Sequence, residues 1–145
     1  MSSRSYTVIW LHLIWGTYKR QKLLPNTELR KQLSNHLYDY SHDKGIYMKT
    51  NYIMPDHVHA IIDLPTDKSV EEVFQLLKGN TSTWVNHEMK SKFAWAKGYA
   101  AFSISQKNLD AAVNYVRNQK EHHRKKNFTE EYEDFIEKHN LVIKR

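Results

Sequence analysis

The sequence has no cysteine. That excludes disulfides, thiolate zinc centres and cysteine nucleophiles, and it leaves imidazole, carboxylate, amide and hydroxyl groups to carry any chemistry. No window approaches the roughly 18 consecutive apolar residues of a membrane helix. The N-terminus also lacks the basic-then-apolar pattern of a signal segment, so neither a membrane partner nor export is expected and the cytoplasm is the default location. Internal repeats, low-complexity tracts and interdomain linkers are missing too, so residues 1–145 are expected to form one domain.

What is present is a chain 40% hydrophobic and 12% aromatic, enough for a sizeable core at this length. Its formal net charge of +6 favours a polyanionic partner such as nucleic acid. Lys19, Arg20 and Lys22 gather in a loop that Pro25 closes, and Arg117, Lys120, Arg124, Lys125 and Lys126 form a second basic group. Both sets have the charge to neutralise phosphates.

Periodicity supplies the elements. Residues 6–17 are apolar at both parities, as in a central strand covered on both faces, with Trp10, His12 and Ile14 on one side and Leu11, Leu13 and Trp15 on the other. Asn26 or Thr27 caps a helix running to about Lys44, with Leu29, Leu33, Leu37 and Tyr40 at helical spacing and Gly45 as its stop. Residues 47–54 form a second strand, which Met54-Pro55-Asp56-His57 reverses into a third. Ser69-Val70-Glu71-Glu72 is a capping box, opening a helix to about Glu88 that buries Val70, Val73, Phe74 and Leu77. A fourth strand over 99–105 precedes a helix over 108–124 burying Leu109, Val113 and Val116, and an acidic helix over 129–140 closes the chain. Strand, helix, strand, strand, helix, strand is the order of the split β-α-β unit. The expected fold class is therefore α+β, a ferredoxin-like antiparallel sheet with both helices on one face and a C-terminal helix beyond.

Two pairs of residues carry candidate chemistry. His57 and His59 lie two apart on a strand, so their imidazoles share a face and can converge on a divalent cation, while Val58, Ala60 and Ile62 face the helices. Tyr115 and Gln119 lie one helical turn apart, presenting a phenol and an amide together, with Asn118 and His122 alongside. His12 and Asp63 share the histidine face. His12 reads as a hydrogen-bonded supporting residue, and Asp63 either orients an imidazole or ends its strand. Trp84, Trp95 and Tyr99 have rings able to stack on bases, but core packing is the expected use of each.

Taken together, Met54-Pro55-Asp56-His57-Val58-His59, Leu77-Lys78-Gly79, Gly98-Tyr99 with Ser103, the run from Asn114-Tyr115 through Gln119 to His122-His123, and Phe128-Thr129-Glu130-Glu131-Tyr132 resemble the single-tyrosine HUH transposases. These are small insertion-sequence enzymes that move DNA as single strands, and REP-associated tyrosine transposases are their relatives. The resemblance implies that His57, His59 and Gln119 hold Mg²⁺ or Mn²⁺, that Tyr115 is the nucleophile of a 5′-phosphotyrosine intermediate, and that a hairpin-bearing DNA single strand is the partner. It also implies a homodimer whose two sites each join the histidine pair of one subunit to the tyrosine of the other. The alternative is a domesticated or non-catalytic single-stranded nucleic-acid-binding protein, since the ferredoxin-like sheet also serves RNA recognition. Such modules put aromatics on the open sheet face, where this chain has His57 and His59. A water-using phosphodiesterase would need a general base near the metal, and none stands out.

Overall fold

A computed structural model describes residues 6–119. The expected continuation of the last helix to residue 124, the closing acidic helix, and the basic residues Lys120, Arg124, Lys125 and Lys126 lie outside them.

The strands β1 (Trp10–Gly16), β2 (Tyr47–Ile53), β3 (His57–Asp63) and β4 (Ala100–Ile104) form one sheet in the order β2-β3-β1-β4. Every neighbouring pair is antiparallel. This is the ferredoxin-like order that the sequence predicts, with the two most apolar strands, β1 and β3, at the centre. Helix α1 (Thr27–Asp43) starts where the Asn26 side chain accepts from the Leu29 backbone at 3.0 Å, and it gives way at Gly45, whose φ of 72° suits a residue without Cβ. Helix α2 (Val70–Met89) opens with the expected capping box. The Ser69 hydroxyl accepts from Glu72 N at 3.1 Å and the Glu72 carboxylate from Ser69 N at 3.2 Å.

Both helices pack on one face of the sheet. Leu11, Leu13, Trp15, Val58, Ala60 and Ile62 from the strands meet Leu33, Leu37, Val73, Phe74 and Leu77 from the helices, all of them buried. Trp15 sits edge-on to Phe74 and to Trp95, with ring centroids 5.9 and 6.0 Å apart. One polar residue belongs to this layer. Asn51 accepts from the Ser34 hydroxyl at 2.6 Å, donates to Ser34 O at 3.2 Å, and its backbone N–H donates to the Tyr38 hydroxyl at 3.1 Å. A buried amide satisfied in this way ties α1 to β2.

The structure departs from the sequence expectation in three places. β1 begins at Trp10, four residues later than residue 6, because Trp10 already pairs with Asp63 and Ile104, the ends of its neighbouring strands. Strand β2 carries a register shift between Met48 and Thr50, which alternation alone does not show. The face opposite α1 and α2 is not left open: helix α3 (Leu109–Arg117) lies over β2 and β3 with Leu109, Val113 and Val116 gathered round Ile61. A helix with such an apolar stripe must cover it, and Ile61 is the apolar residue that face offers. No helix among the described residues is long and apolar enough to cross a membrane.

Candidate active site

The alternation of β3 places the imidazoles. Val58, Ala60 and Ile62 enter the main core, so His57, His59 and Ile61 must point to the α3 side, and all six are buried. The rings of His57 and His59 lie 4.9 Å apart, nearly perpendicular at 73°.

Each ring is fixed through Nδ1. His57 Nδ1 lies 2.7 Å from Asp56 Oδ1, and His59 Nδ1 lies 2.8 Å from His12 Nε2. A ligating histidine commonly bonds a carboxylate or another polar group through the nitrogen not on the metal. Here that leaves Nε2 of both rings as the atoms a cation would take. Burial pushes the His57 pKa below its ordinary value and the positive charge of Arg20 adds to the effect, against the opposing pull of Asp56. His57 is thus held in the neutral form that metal ligation requires.

Asp56 is held in turn by Thr17, whose backbone N–H and hydroxyl both donate to the Asp56 carbonyl at 2.9 and 3.1 Å. Sequence reasoning assigned Asp56 only to the bend. An acid immediately before the first histidine was the available signal for its second role. His12 is the hydrogen-bonded supporting histidine expected, and its partner is His59 itself. Asp63 shares the face but accepts from Ile9 N at 2.9 Å, so it ends the strand and does not orient an imidazole.

Tyr115 arrives from α3. Its ring lies 6.2 Å from those of both His12 and His59, edge-on at 72° and 77°. The structure therefore brings the tyrosine to the histidines of its own chain. Gln119 lies just past Asn118, where backbone angles of −99° and 24° interrupt the expected unbroken helix. It is fully buried, with Nε2 donating to the Tyr115 carbonyl at 3.2 Å. Its Oε1 is buried and accepts no hydrogen bond among the described residues. An amide oxygen left so costs about 1–3 kcal/mol, which a cation would offset. Among the described residues no three His, Asp or Glu side chains are arranged to hold an ion, so a cation bound at the imidazoles would have to take any third protein donor from another residue type. Two imidazole nitrogens and one amide oxygen are a donor set that fits Mn²⁺ well and Mg²⁺ acceptably.

The basic turn after β1 stands at the same end of the sheet as His57. Lys19 and Arg20 both occupy left-handed backbone, with φ of 51° and 58°. For residues with a Cβ that conformation costs about 1–2 kcal/mol each. Backbone bonds hold the turn there, from Tyr18 N to Ala94 O and from Arg20 N to Thr17 O, both at 3.0 Å. Lys78 braces the facing loop, donating to the carbonyls of Ala96 and Lys97 at 2.7 and 3.1 Å. Trp84 and Trp95 pack against the main core as expected, Trp95 donating to the Thr81 hydroxyl at 3.0 Å and Trp84 stacking on His36 at 5.2 Å, whereas Tyr99 stacks on Phe74 at 3.8 Å from outside and stays 41% exposed, so core packing does not hold for it.

Comparison with known proteins bears on this geometry. Residues 5–119 match the family profile described as "Transposase IS200 like". The ISDra2 transposase TnpA of Deinococcus radiodurans is 25% identical over 115 residues, which span 74% of this chain and 81% of that protein. Among solved structures, a Deinococcus radiodurans protein superposes with a TM-score of 0.64 at 22% identity, covering 82% of this chain and 97% of that one. A REP-associated tyrosine transposase bound to a REP hairpin superposes with a TM-score of 0.59 at 19% identity, covering 85% of this chain and 74% of that one. At these identities the two superpositions establish the shared fold.

Proposed function

This chain belongs to the IS200-like transposase family, and from that premise we propose that it cleaves and rejoins single-stranded DNA at hairpin-bearing element ends through a covalent phosphotyrosine. The observation that carries the reading is the position of Tyr115, whose ring stands 6.2 Å from His59 above two imidazoles locked through their Nδ1 atoms. The hairpin substrate is supported by the likeness to a relative solved with a REP hairpin.

Tyr115 Oη attacks the scissile phosphorus, the phosphorus–O3′ bond breaks, and the electron pair leaves on O3′, which is protonated to a free 3′-OH. The phenol releases its own proton to solvent water as O3′ takes one up from it, so protons balance across the step. Its reference pKa near 10 makes it a poor nucleophile at neutral pH, so the phosphate must be made electrophilic. Mg²⁺ or Mn²⁺ held by His57 Nε2, His59 Nε2 and Gln119 Oε1 would polarise the phosphate and stabilise the departing oxygen. Asp56 and His12 keep the two imidazoles turned toward that position. The phosphotyrosine ester conserves the energy of the broken bond, so a 3′-OH from another strand can displace Tyr115 and complete transfer without ATP.

The proposal includes a two-fold homodimer with shared sites. β4 is an edge strand, and α3 leaves it through the short 3₁₀ turn Gln106–Asn108. Were two β4 edges to pair, their unmet backbone groups would be satisfied and each α3 would start at the seam, next to its own sheet and to its partner's.

The test is incubation of the protein with labelled hairpin-bearing single-stranded DNA, with and without Mg²⁺ or Mn²⁺, followed by denaturing separation of covalent adducts. A metal-dependent adduct that vanishes in Tyr115→Phe while DNA binding persists is expected. An undiminished adduct in that variant would remove Tyr115 from the role, and one that survives chelation and His57→Ala or His59→Ala would remove the metal.

A further inference from the structure

Lys78 and Gly98-Tyr99 lie 20 residues apart in the chain and meet in the fold. The Lys78 ammonium donates to the carbonyls of Ala96, Lys97 and Gly98 at 2.7, 3.1 and 3.5 Å, so it grips the backbone that leads into Tyr99. The same ammonium stands 5.8 Å from the centre of the Tyr99 ring. That ring lies flat against Phe74, with centroids 3.8 Å apart and planes 20° from parallel. With centroids so close the two rings are barely offset, a geometry that aromatic pairs favour less than edge-on contacts such as that of Trp15 with Phe74. Phe74 covers one face of the ring, and Tyr99 nevertheless stays exposed. The surroundings keep the ring accessible. Gly98 has no positive φ that would call for glycine, and a Cβ on it would meet nothing within 4 Å. Ala101 and Ser103, at the same parity as Tyr99, pair with Leu13 and Leu11 and so stand on the α1–α2 side of the sheet, where both are small and exposed. This is also the catalytic end of the sheet: Ala96 N donates to Gly16 O at 2.9 Å, and Gly16 lies across the β1–β3 ladder from His57.

We propose that Tyr99 is a stacking platform for an unpaired base in the single-stranded DNA flanking the scissile phosphate, with Lys78 the positioning residue that holds the ring in place. This rests on the strand-cleavage reading above for its ligand. A base presents a flat π-face of the kind that Tyr99 already accepts from Phe74, and on the open side of the ring it extends that stack. The two faces of the sheet decide which part of the DNA is meant. Tyr99 stacks with Phe74 on the α2 side, whereas His57 and His59 point to the α3 side, so DNA that reaches both must bend round the end of the sheet. A single strand makes that bend readily. A duplex, with a persistence length of about 150 base pairs, does not, so the hairpin stem is not what Tyr99 holds. Exposed Lys97, two residues before the ring, and Lys19 in the turn that bonds to Ala94 supply positive charge for the adjoining phosphates.

The experiment is equilibrium binding, without metal, of two labelled DNAs: a hairpin with single-stranded flanks and the same hairpin without them. Tyr99→Leu keeps an apolar side chain over Phe74 but removes the ring, and thermal denaturation checks that it folds. It is expected to weaken binding of the flanked DNA about 5- to 100-fold and to leave binding of the bare hairpin unchanged. Tyr99→Trp should restore the flanked DNA. The salt dependence of binding should be the same in wild type and Tyr99→Leu, because no phosphate contact is removed. With Mn²⁺ present, Tyr99→Leu should raise the DNA concentration needed for half-maximal adduct formation and leave the rate at saturation unchanged. Lys78→Met should weaken the flanked DNA alone, and Lys78→Arg, which still has donors for the three carbonyls, should recover most of that loss. Photocrosslinking with 5-iodouracil at successive flank positions should attach DNA to Tyr99, identified by mass spectrometry. Equal affinity of wild type and Tyr99→Leu for the flanked DNA, or a loss that falls as heavily on the bare hairpin, would overturn the assignment. So would a loss shared by Tyr47→Leu, an exposed tyrosine at the Asp63 end of the sheet, or crosslinks that go only to other residues. Flank-dependent binding and a Tyr99 crosslink in a wild type that forms no adduct with either metal would keep the platform and defeat the cleavage reading instead.

Discussion

The two faces of the sheet are built from the same strands and have opposite characters. On the face under α1 and α2, the inward residues of β1 and β3 are Leu11, Leu13, Trp15, Val58, Ala60 and Ile62, packed with the helices into one continuous apolar cluster. On the face under α3, the same two strands present His12, His57 and His59, and the apolar contacts divide into small separate groups around Ile14 and around Ile61. Both faces are buried, so burial is not what distinguishes them. The difference lies in what burial does: on one side it removes apolar surface from water, and on the other it surrounds imidazoles that hydrogen bonds fix in direction and lowers the pKa of His57. Strand alternation permits a two-residue step to separate stability from chemistry.

The sharpest way to break that separation is to delete one side chain from each layer. Tyr115→Phe should abolish the DNA adduct, a loss limited only by assay sensitivity, while shifting unfolding free energy by no more than about 0.5 kcal/mol. Phe74→Ala, at a position only 1% exposed, should do the reverse. It should cost about 3–5 kcal/mol in urea denaturation and leave the adduct rate per folded molecule close to that of wild type. If Phe74→Ala also stopped chemistry in protein shown to be folded, the two faces would be energetically one unit and the comparison would fail.

A smaller effect sharpens the account of the polar face. Asp56 accepts from His57 Nδ1 while Thr17 pins its carbonyl, so the carboxylate sets the direction of the imidazole. Asp56→Asn keeps the size and an acceptor oxygen but removes the charge. It should weaken Mn²⁺ binding about 10- to 100-fold in calorimetric titration, with thermal stability little altered. Asp63→Asn is the control, because that carboxylate is spent on Ile9 N, and its Mn²⁺ affinity should match wild type. Equal losses in the two variants would mean that general negative charge matters and the particular hydrogen bond does not.

Much of this architecture is legible locally. The caps at Asn26 and Ser69, the stop at Gly45, the parity of His57 and His59 and the element order all follow from residues within a few positions of one another, and the structure has each of them. What sequence reading misses depends on distant partners. The start of β1 is set by where Asp63 and Ile104 end. The role of His12 is set by His59, 47 residues away. The docking of α3 is set by Ile61 on a strand far earlier in the chain. Tyr115 and Gln119 are nameable as a pair from their spacing, but helical periodicity carries no sign of the interruption at Asn118 that lies between them.

The last test asks whether the polar face is completed within one chain or between two, and it predicts a partial signal. In this structure α3 lies on its own sheet, so Tyr115 and His59 come from one subunit. Exchange of α3 between two subunits would remake the same contacts of Leu109, Val113 and Val116 with Ile61 in the neighbour, so the docking energy nearly cancels and a short joint decides the outcome. Gln106–Asn108 is that joint, and it follows an edge strand. Mix a His57→Ala/His59→Ala protein with a Tyr115→Phe protein, each inactive alone. If sites are shared, half the dimers at random exchange are mixed and each has one whole site of two, so roughly a quarter of wild-type adduct should return. If each site is closed within its own chain, no chain in the mixture has both halves and the adduct stays at zero. Differently tagged subunits, captured together after mixing, establish that exchange has occurred; with exchange shown and no adduct, the sites either close within one chain or work only when both of a dimer are intact, and the shared-site proposal loses its support.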